Sequence, residues 1–288
     1  MAAFSYVIDN EHNGCDVKSY LKNHLGLSTR TIINLKKIPD GIQINGVHAR
    51  SIDILKENDI LSLNTPEENT SYEISHDPVE VIYEDDNFLL VGKDYGVTVY
   101  KCGEVEKNLH AAVAGYYDSL GKNVVFRPFY RLDKDTTGIV VIAKNGLVMK
   151  NTELQKDYYA VCEGLVPDKG VKIGNIALCE NSRIKRRVVP EGGEYAETHF
   201  ERIAFDGKHS LVKFRLVTGR THQIRVHMSD MGFPLAGDDL YGGSLEFIGR
   251  QALHCKSVAI KNEALNIDSF HDTEFPEDMK KAFSELIG

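Results

Sequence analysis

Residues 130–145, YRLDKDTTGIVVIAKN, decide how the central part of this chain folds. An apolar run at residues 124–129 precedes this stretch, and a second apolar run, residues 139–143, lies within it. The residues between the two runs are Asp, Lys, Thr and Gly, which are typical of turns. The pattern predicts two strands joined by a polar turn, with Asp133 at the start of that turn. A carboxylate in this place is held by a sheet and can still reach a ligand.

Length and composition predict a globular protein of two domains, because the chain has 288 residues of which 42% are hydrophobic. Its five cysteines are dispersed without a Cys-x-x-Cys pair, which argues against a disulfide framework and a zinc site and favours a reducing cytoplasm. We see no membrane span and no signal peptide. We therefore expect a cytoplasmic monomer that binds no metal.

The charge is unevenly distributed along the chain. A net charge of -8 argues by itself against a nucleic-acid partner. However, four cations lie within five residues at positions 183–187: Arg183, Lys185, Arg186 and Arg187. Since a basic face matters more than the net charge, this run predicts contact with an RNA backbone in preference to a merely solvated surface.

The first 66 residues have the pattern of a small α+β unit. Asp16 and Ser28 are placed to cap two short helices, Asn45-Gly46 predicts a hairpin, and strands are predicted at residues 4–9 and 60–63. This order resembles the S-four-type RNA-binding domain over residues 15–64. The resemblance implies phosphate contacts from Arg30, Lys36 and Lys37, although these are equally typical of a solvated helix surface. Polar residues 67–78 then predict a linker.

Residues 79–288 alternate short strands with few helices. Helices are predicted near residues 109–120 and 221–231, and strands at residues 158–162, 198–203 and 211–216. No regular β-α-β alternation is present, so the fold class is α+β, with a mostly antiparallel mixed sheet in the larger domain.

Five strings in this larger part resemble the pseudouridine synthases of the large-ribosomal-subunit type. They stand in the family's order: RLDKDTTG from 131, KDYYAVCEG from 156, LVTGRTHQIRVH from 216, PLAGDDLYG from 234 and RQALH from 250. The chain departs mildly at three places, with Tyr130, Thr137 and Asp94 standing where the family has mostly His, Ser and Pro.

The resemblance implies an isomerase that breaks the bond between uracil and ribose, turns the base and rejoins it through carbon. This chemistry needs no cofactor. It implies that Asp133 is the catalytic carboxylate, which meets the positive charge that develops on the sugar. Whether Asp133 attacks the sugar, attacks the base or assists elimination stays open at this point.

The resemblance implies that two further residues serve Asp133. It implies that Arg225, on the helix that begins near residue 221, is the counter-ion that keeps the carboxylate ionised. Tyr158 is expected to stack on a uracil turned out of its RNA helix. A lone Arg or Asp outside these strings is more often a salt-bridge residue.

The predicted RNA-contacting residues outside the catalytic set are Arg131, Thr136, Arg220, His222, the basic run at 183–187 and the three cations of the N-terminal helix. Ribosomal RNA is the expected partner, and transfer RNA is the alternative. His222 and His227 are five positions apart, which does not fit a His-x-x-x-His metal pair.

Two other functions stay open. An RNA-binding assembly factor without catalysis would fit the negative net charge of the chain and the presence of Asp94 where the family mostly has Pro. A nucleoside hydrolase would need a second carboxylate as general acid, and nothing marks Asp135 for that role.

Overall fold

The computed structural model describes residues 2–65, 73–103, 107–122 and 125–288. Within these ranges the protein forms a four-stranded sheet near the N-terminus and a ten-stranded sheet in the rest of the chain. None of the helices in the described ranges has both the length and the apolar character needed to cross a membrane.

The N-terminal unit combines an antiparallel sheet with short helices. Its elements are β1 (Ala2–Val7), a 3-10 turn (Asn10–His12), α1 (Val17–Ser19) continued by a π-helix (Tyr20–His24), α2 (Thr29–Lys36), β2 (Ile42–Ile44), β3 (Val47–His48) and β4 (Ile60–Thr65). The strands lie in the order β1-β4-β2-β3, with antiparallel pairing throughout.

The local signals of the N-terminal sequence act as predicted. The Asp16 carboxylate accepts the backbone N–H of Ser19, and the Ser28 hydroxyl accepts that of Thr31, so both helices are capped. Asn45 and Gly46 have φ values of 52° and 78°, which a two-residue hairpin with the right-handed strand twist requires.

The described residues of the larger unit form ten strands and four helices. These are β5 (Glu80–Glu84), β6 (Phe88–Lys93), α3 (Leu109–Ser119), β7 (Thr137–Ala143), β8 (Glu153–Glu163), β9 (Lys169–Leu178), β10 (Arg186–Val189), β11 (Glu194–Phe205), β12 (His209–Leu216), α4 (Gln223–Asp230), β13 (Leu253–Asn262), β14 (Ile267–Asp272), α5 (Glu277–Ala282) and α6 (Ser284–Ile287). Short 3-10 turns lie at Asp239–Tyr241 and Glu263–Leu265.

The large sheet has the order β10-β9-β11-β12-β8-β13-β7-β6-β5, and β14 pairs with β13. Among its described strands, β13 and β7 pair in parallel and the other neighbours are antiparallel. The predicted α+β class with a mostly antiparallel mixed sheet is confirmed.

Strand β7 explains why the run after Asp133 is apolar throughout. Its alternate residues face two different cores, because successive strand side chains point to opposite sides. Ile139 and Val141 pack into the core that also contains the N-terminal unit, whereas Val140 and Ile142 pack into the core beneath the predicted catalytic residues. Both faces are therefore covered, as they are in buried strands.

The N-terminal unit shares its core with the large sheet. Leu21 and Leu61 belong to the same buried cluster as Val141. Side chains also bridge the two units, since Lys150 Nζ donates to the Gly26 carbonyl at 2.9 Å and Asn151 Nδ2 donates to the His24 carbonyl at 3.0 Å. The N-terminal unit is thus packed directly against the large sheet.

The predicted linker lies partly outside the described residues, which resume at 73. Within it, the Ser75 N–H donates to the Ala111 carbonyl of α3 at 3.0 Å. The domain boundaries at 66 and 79 stay predictions.

Two sequence predictions near the site need correction. Residues 125–129 form no strand, only an isolated bridge between Pro128 and Ile142. The Phe129 N–H donates to the Val141 carbonyl at 3.0 Å, and the Ala143 N–H donates to the Arg127 carbonyl at 2.9 Å. Helix α4 begins at Gln223, two residues later than predicted, because His222 adopts the left-handed region at φ 59°.

Candidate active site

Asp133 lies in a tight loop that is anchored at both ends. Its carbonyl accepts the N–H of Thr136 at 3.1 Å, while Leu132 before it is buried in the core. After the loop, the Thr137 hydroxyl lies 2.8 Å from His254 Nδ1 on β13. Gly138 follows at φ 117°, where a Cβ would collide with the Cys255 backbone. The loop therefore has little freedom, and the Asp133 side chain keeps 27% exposure.

Lys93, at the end of β6, hydrogen-bonds to the backbone of this loop. Its ammonium group donates to the carbonyls of Asp94, Val97 and Lys134, each at 2.8 Å. Burial lowers the pKa of Lys93 to about 7, and the charges of Asp135 and Asp133 oppose that shift. A single side chain thus joins the turn after β6 to the loop of Asp133.

Arg225 contacts two carboxylates. Its guanidinium donates two hydrogen bonds to Asp238, from Nε at 2.6 Å and from Nη2 at 2.7 Å. Its Nη1 lies 3.5 Å from Asp133 Oδ2. The predicted counter-ion of Asp133 is therefore beside it, but its stronger partner is Asp238, whose side chain is fully buried. A two-pronged pair of this kind fixes the plane of the guanidinium.

His222 forms a second contact on the same carboxylate. Its Nε2 lies 3.9 Å from Asp133 Oδ2, and its Nδ1 lies 2.8 Å from the Tyr241 hydroxyl. Burial lowers the pKa of His222, with the Asp133 charge opposing the shift, so the ring is neutral near pH 7. A Tyr241 O–H that donates to Nδ1 leaves the imidazole proton on Nε2, facing Asp133.

Tyr158 lies deep in the core beneath the site. Only 6% of its surface is exposed, and it pairs across the sheet with Cys255. Burial is the main cause that raises the pKa of Tyr158 well above its ordinary value, and the nearby Cys255 and Asp133 act in the same direction. Its hydroxyl is therefore protonated at neutral pH. The next residue along β8, Tyr159, is only partly buried.

The other predicted contact residues separate into exposed and internal groups. Arg131 is exposed beside the loop. Thr136 is buried, and its hydroxyl accepts from Gln251 Nε2 at 3.3 Å. This hydrogen bond shows that Thr136 supports the loop from inside the protein, and its contact with RNA stays a prediction. Arg220 donates to the Tyr195 carbonyl at 3.0 Å and to Glu194 at 2.9 Å, and so orders its own turn.

The basic run covers the end of the connection between β9 and β10 and the first two residues of β10. Arg183 and Lys185 are exposed, Arg187 pairs with Glu180 at 3.0 Å, and Arg186 is half-buried. The Arg186 N–H donates to the Tyr241 hydroxyl at 2.9 Å, which connects this run to His222. In the N-terminal unit, Arg30, Lys36 and Lys37 are exposed on α2 and its end.

The described residues contain no group of three or more His, Cys, Asp or Glu side chains able to hold a metal ion. The reactive groups at the site are instead a carboxylate, a guanidinium, a neutral imidazole and a protonated phenol. This set can stabilise a cation that develops next to Asp133 and can handle a proton.

Comparison with known proteins agrees with this chemistry. Residues 87–230 match the family model of RNA pseudouridylate synthases. A Bacillus subtilis protein described as an uncharacterized RNA pseudouridine synthase is 34% identical over 92% of this chain and 97% of its own.

This chain belongs to the RNA pseudouridine synthase family. It is an RNA pseudouridine synthase, and hence an isomerase. The ribosomal large subunit pseudouridine synthase D of Zymomonas mobilis is 33% identical over 73% of each chain. The solved structure of human RNA pseudouridylate synthase domain containing 4 shares the fold, with a TM-score of 0.58 and 19% identity over 72% of this chain and 92% of that one.

Three residues of this synthase site were not predicted from the sequence: Lys93, Asp238 and Tyr241. Asp238 and Tyr241 lie within the family-like PLAGDDLYG string. The string indicated that this segment matters, but not which of its side chains contact the other site residues. Lys93 follows a buried strand, and no charge or spacing signal distinguishes it from a surface lysine. Its three carbonyl partners come from two separate loops, which only the folded chain brings together.

Proposed function

We propose that this protein converts specific uridines of ribosomal RNA to pseudouridine, with Asp133 as the catalytic carboxylate. The observation that carries the proposal is the arrangement around Arg225. Asp238 neutralises and orients this arginine from the buried side, and Asp133 faces it from the open side at 3.5 Å. The carboxylate that a ligand can reach is thus the one that faces a fixed cation.

The reaction breaks the bond between C1′ of the ribose and N1 of uracil, and forms a bond from C1′ to C5 of the same base. Positive charge develops on the sugar as the base departs. The Asp133 carboxylate, beside Arg225 and the neutral His222, meets that charge. The proton on C5 is lost and N1 gains one, so the product has the same composition as the substrate.

Tyr158 serves the base in this proposal. Its ring is held rigidly in the core and its phenol is protonated at neutral pH, so it offers an aromatic edge and a proton donor below Asp133. A base turned out of its RNA helix needs such an apolar partner. Tyr158→Phe keeps the ring and removes the proton, which separates the two contributions.

Ribosomal RNA is proposed as the substrate because several relatives, among them those of Zymomonas mobilis and Salmonella typhimurium, are ribosomal large subunit pseudouridine synthases by name. The N-terminal unit is proposed to bind RNA as an S-four-type domain through Arg30, Lys36 and Lys37, which are exposed on α2. Arg131, Arg183, Lys185 and Arg187 add exposed positive charge for the phosphate backbone.

The test uses unmodified ribosomal RNA labelled with tritium at C5 of uracil. We expect the wild-type protein to release tritium and to form pseudouridine at discrete positions. Asp133→Asn should fold and bind the RNA without releasing tritium. Binding without any tritium release by the wild type would instead support the assembly-factor function, and free uracil in the products would support a hydrolase.

A further inference from the structure

Two adjacent arginines on β10 point in opposite directions. Val188 of this strand packs on the cluster formed by Ile176, Val226 and Tyr241. Because strand side chains alternate, Arg186 lies on the same face as Val188 and turns toward the active site. Arg187 lies on the outer face, where it is 54% exposed and paired with Glu180 at 3.0 Å.

A short chain of contacts connects Arg186 to the catalytic carboxylate. Its backbone N–H donates to the Tyr241 hydroxyl at 2.9 Å, and that hydroxyl lies 2.8 Å from His222 Nδ1. The opposite nitrogen of His222 is 3.9 Å from Asp133. The Arg186 charge also adds to the effect of burial in lowering the pKa of His222, so the guanidinium acts on the site electrostatically.

Arg186 has a donor that nothing in the described part of the protein satisfies. Its Nε is buried and has no hydrogen-bond partner there, and no carboxylate among the described residues pairs with its side chain. Arg225 is different, since Asp238 already occupies two of its donors. A buried donor without an acceptor costs free energy, which a bound ligand with an anionic oxygen would recover.

We propose that Arg186 binds the phosphate next to the target uridine, at the entrance of the active site. This inference rests on the proposed function and adds which of the four clustered cations contacts the reacting nucleotide. Arginine suits the role because its planar guanidinium can donate two parallel hydrogen bonds to a phosphate. Arg187, on the outer face, contributes only general attraction to the RNA backbone.

The test compares variants on the same unmodified ribosomal RNA transcript, in single-turnover tritium release at increasing protein concentration. Arg186→Ala should raise the half-saturating concentration about tenfold or more, as expected for the loss of a charge-assisted hydrogen bond. For this variant, the slope of the logarithm of the affinity against the logarithm of the salt concentration should become shallower by about 0.7–0.9, the value of one phosphate contact. Arg186→Lys should recover the salt dependence and only part of the affinity.

Two matched variants control for lost charge. Arg187→Ala should raise the half-saturating concentration at most about threefold, as a screened surface charge does. Lys208→Ala removes an exposed cation paired with Glu246, at the far end of β12 from the site, and should match the wild type. Thermal unfolding of each variant establishes that it is folded.

The outcomes separate the two proposals. If the wild type forms pseudouridine and Arg186→Ala behaves like Arg187→Ala, the inference about Arg186 is wrong and the proposed function stands. The same holds if Arg186→Ala lowers only the maximal rate at unchanged half-saturation, which would give Arg186 a positioning role. If the wild type forms no pseudouridine, the proposed function itself fails.

Discussion

Two loops of the protein each bring a carboxylate to Arg225, and they do so in different surroundings. The loop after Leu235 buries Asp238 completely and hydrogen-bonds it twice to the guanidinium. The loop before β7 leaves Asp133 partly exposed, with Oδ2 3.5 Å from Nη1. The guanidinium is thus bound firmly on one side and loosely on the other.

The difference assigns distinct work to the two carboxylates. A buried ion pair is costly to break and holds its members in one geometry. A partly exposed carboxylate contributes little to stability and stays available to a ligand. Asp238 therefore positions Arg225, and Asp133 is the carboxylate that we propose for the chemistry. The predictions below test this division, from the largest expected effect to the smallest.

Replacing Asp133 by Asn should abolish activity while leaving the fold intact. We expect tritium release from labelled RNA to fall at least about 1,000-fold, the scale seen when an essential catalytic group is removed. The free energy of unfolding should change by less than about 1 kcal/mol, because Asp133 is partly exposed and forms no close hydrogen bond with Arg225. Urea unfolding measures the second quantity. Residual activity within tenfold of the wild type would remove Asp133 from the catalytic role.

Replacing Asp238 by Asn should affect stability first. The change leaves Arg225 buried without its main partner, and we expect a loss of about 3–5 kcal/mol in the free energy of unfolding. Urea denaturation at pH 7 measures it, with Asp133→Asn as the matched control at the other carboxylate. Equal stability of the two Asn variants would contradict the comparison.

Arg225→Lys keeps the positive charge but loses the two-pronged contact. We expect a loss of about 1–3 kcal/mol of stability, as for hydrogen bonds to a charged group. Activity should also fall, since a lysine held by Asp238 no longer presents a second nitrogen to Asp133. Combining Arg225→Lys with Asp238→Asn measures the coupling between them. Purely additive losses would mean that the pair does not act as a unit.

Lys93 predicts a pH dependence of stability. Its pKa is about 7 when folded and about 10.5 when unfolded, so between these values the unfolded chain binds more protons. Stability should therefore rise with pH over the window 7 to 10.5, by at most about 1.4 kcal/mol per unit from this group. Urea unfolding at pH 7.5, 8.5 and 9.5 measures the slope, and Lys93→Gln should remove this part of it. An unchanged slope in the variant would show that Lys93 is not the group responsible.

The sequence predicted the elements whose signals are local. Capping residues, the Asn45-Gly46 turn and the periodicity of residues 109–120 located helices and a hairpin, because each acts within a few residues of chain. The strand predicted at residues 125–129 is reduced to one isolated bridge. Strands β9, β10, β13 and β14 were not predicted.

The candidate site was predicted in part for the same reason. Family-like strings paired Asp133 with Arg225, and these two side chains lie 3.5 Å apart in the structure. The contact of His222 with Asp133 at 3.9 Å was not predicted, because the sequence assigned His222 to RNA. Thr136 was also assigned to RNA, and only the folded structure shows that its hydroxyl contacts Gln251. Lys93 was missed because a buried lysine and a surface lysine look the same in a sequence.

What the sequence by itself determined is the set of groups: a carboxylate in a turn before an apolar strand, an arginine on a helix, and a basic run at residues 183–187. What only the tertiary structure decided is which partners these groups contact. Asp238 occupies Arg225, Arg186 and Arg187 face opposite ways, and the N-terminal unit packs on the face of β7 opposite the site. Charge and burial act through space, so the partner of a side chain depends on which distant segments the fold brings within a few ångströms of it.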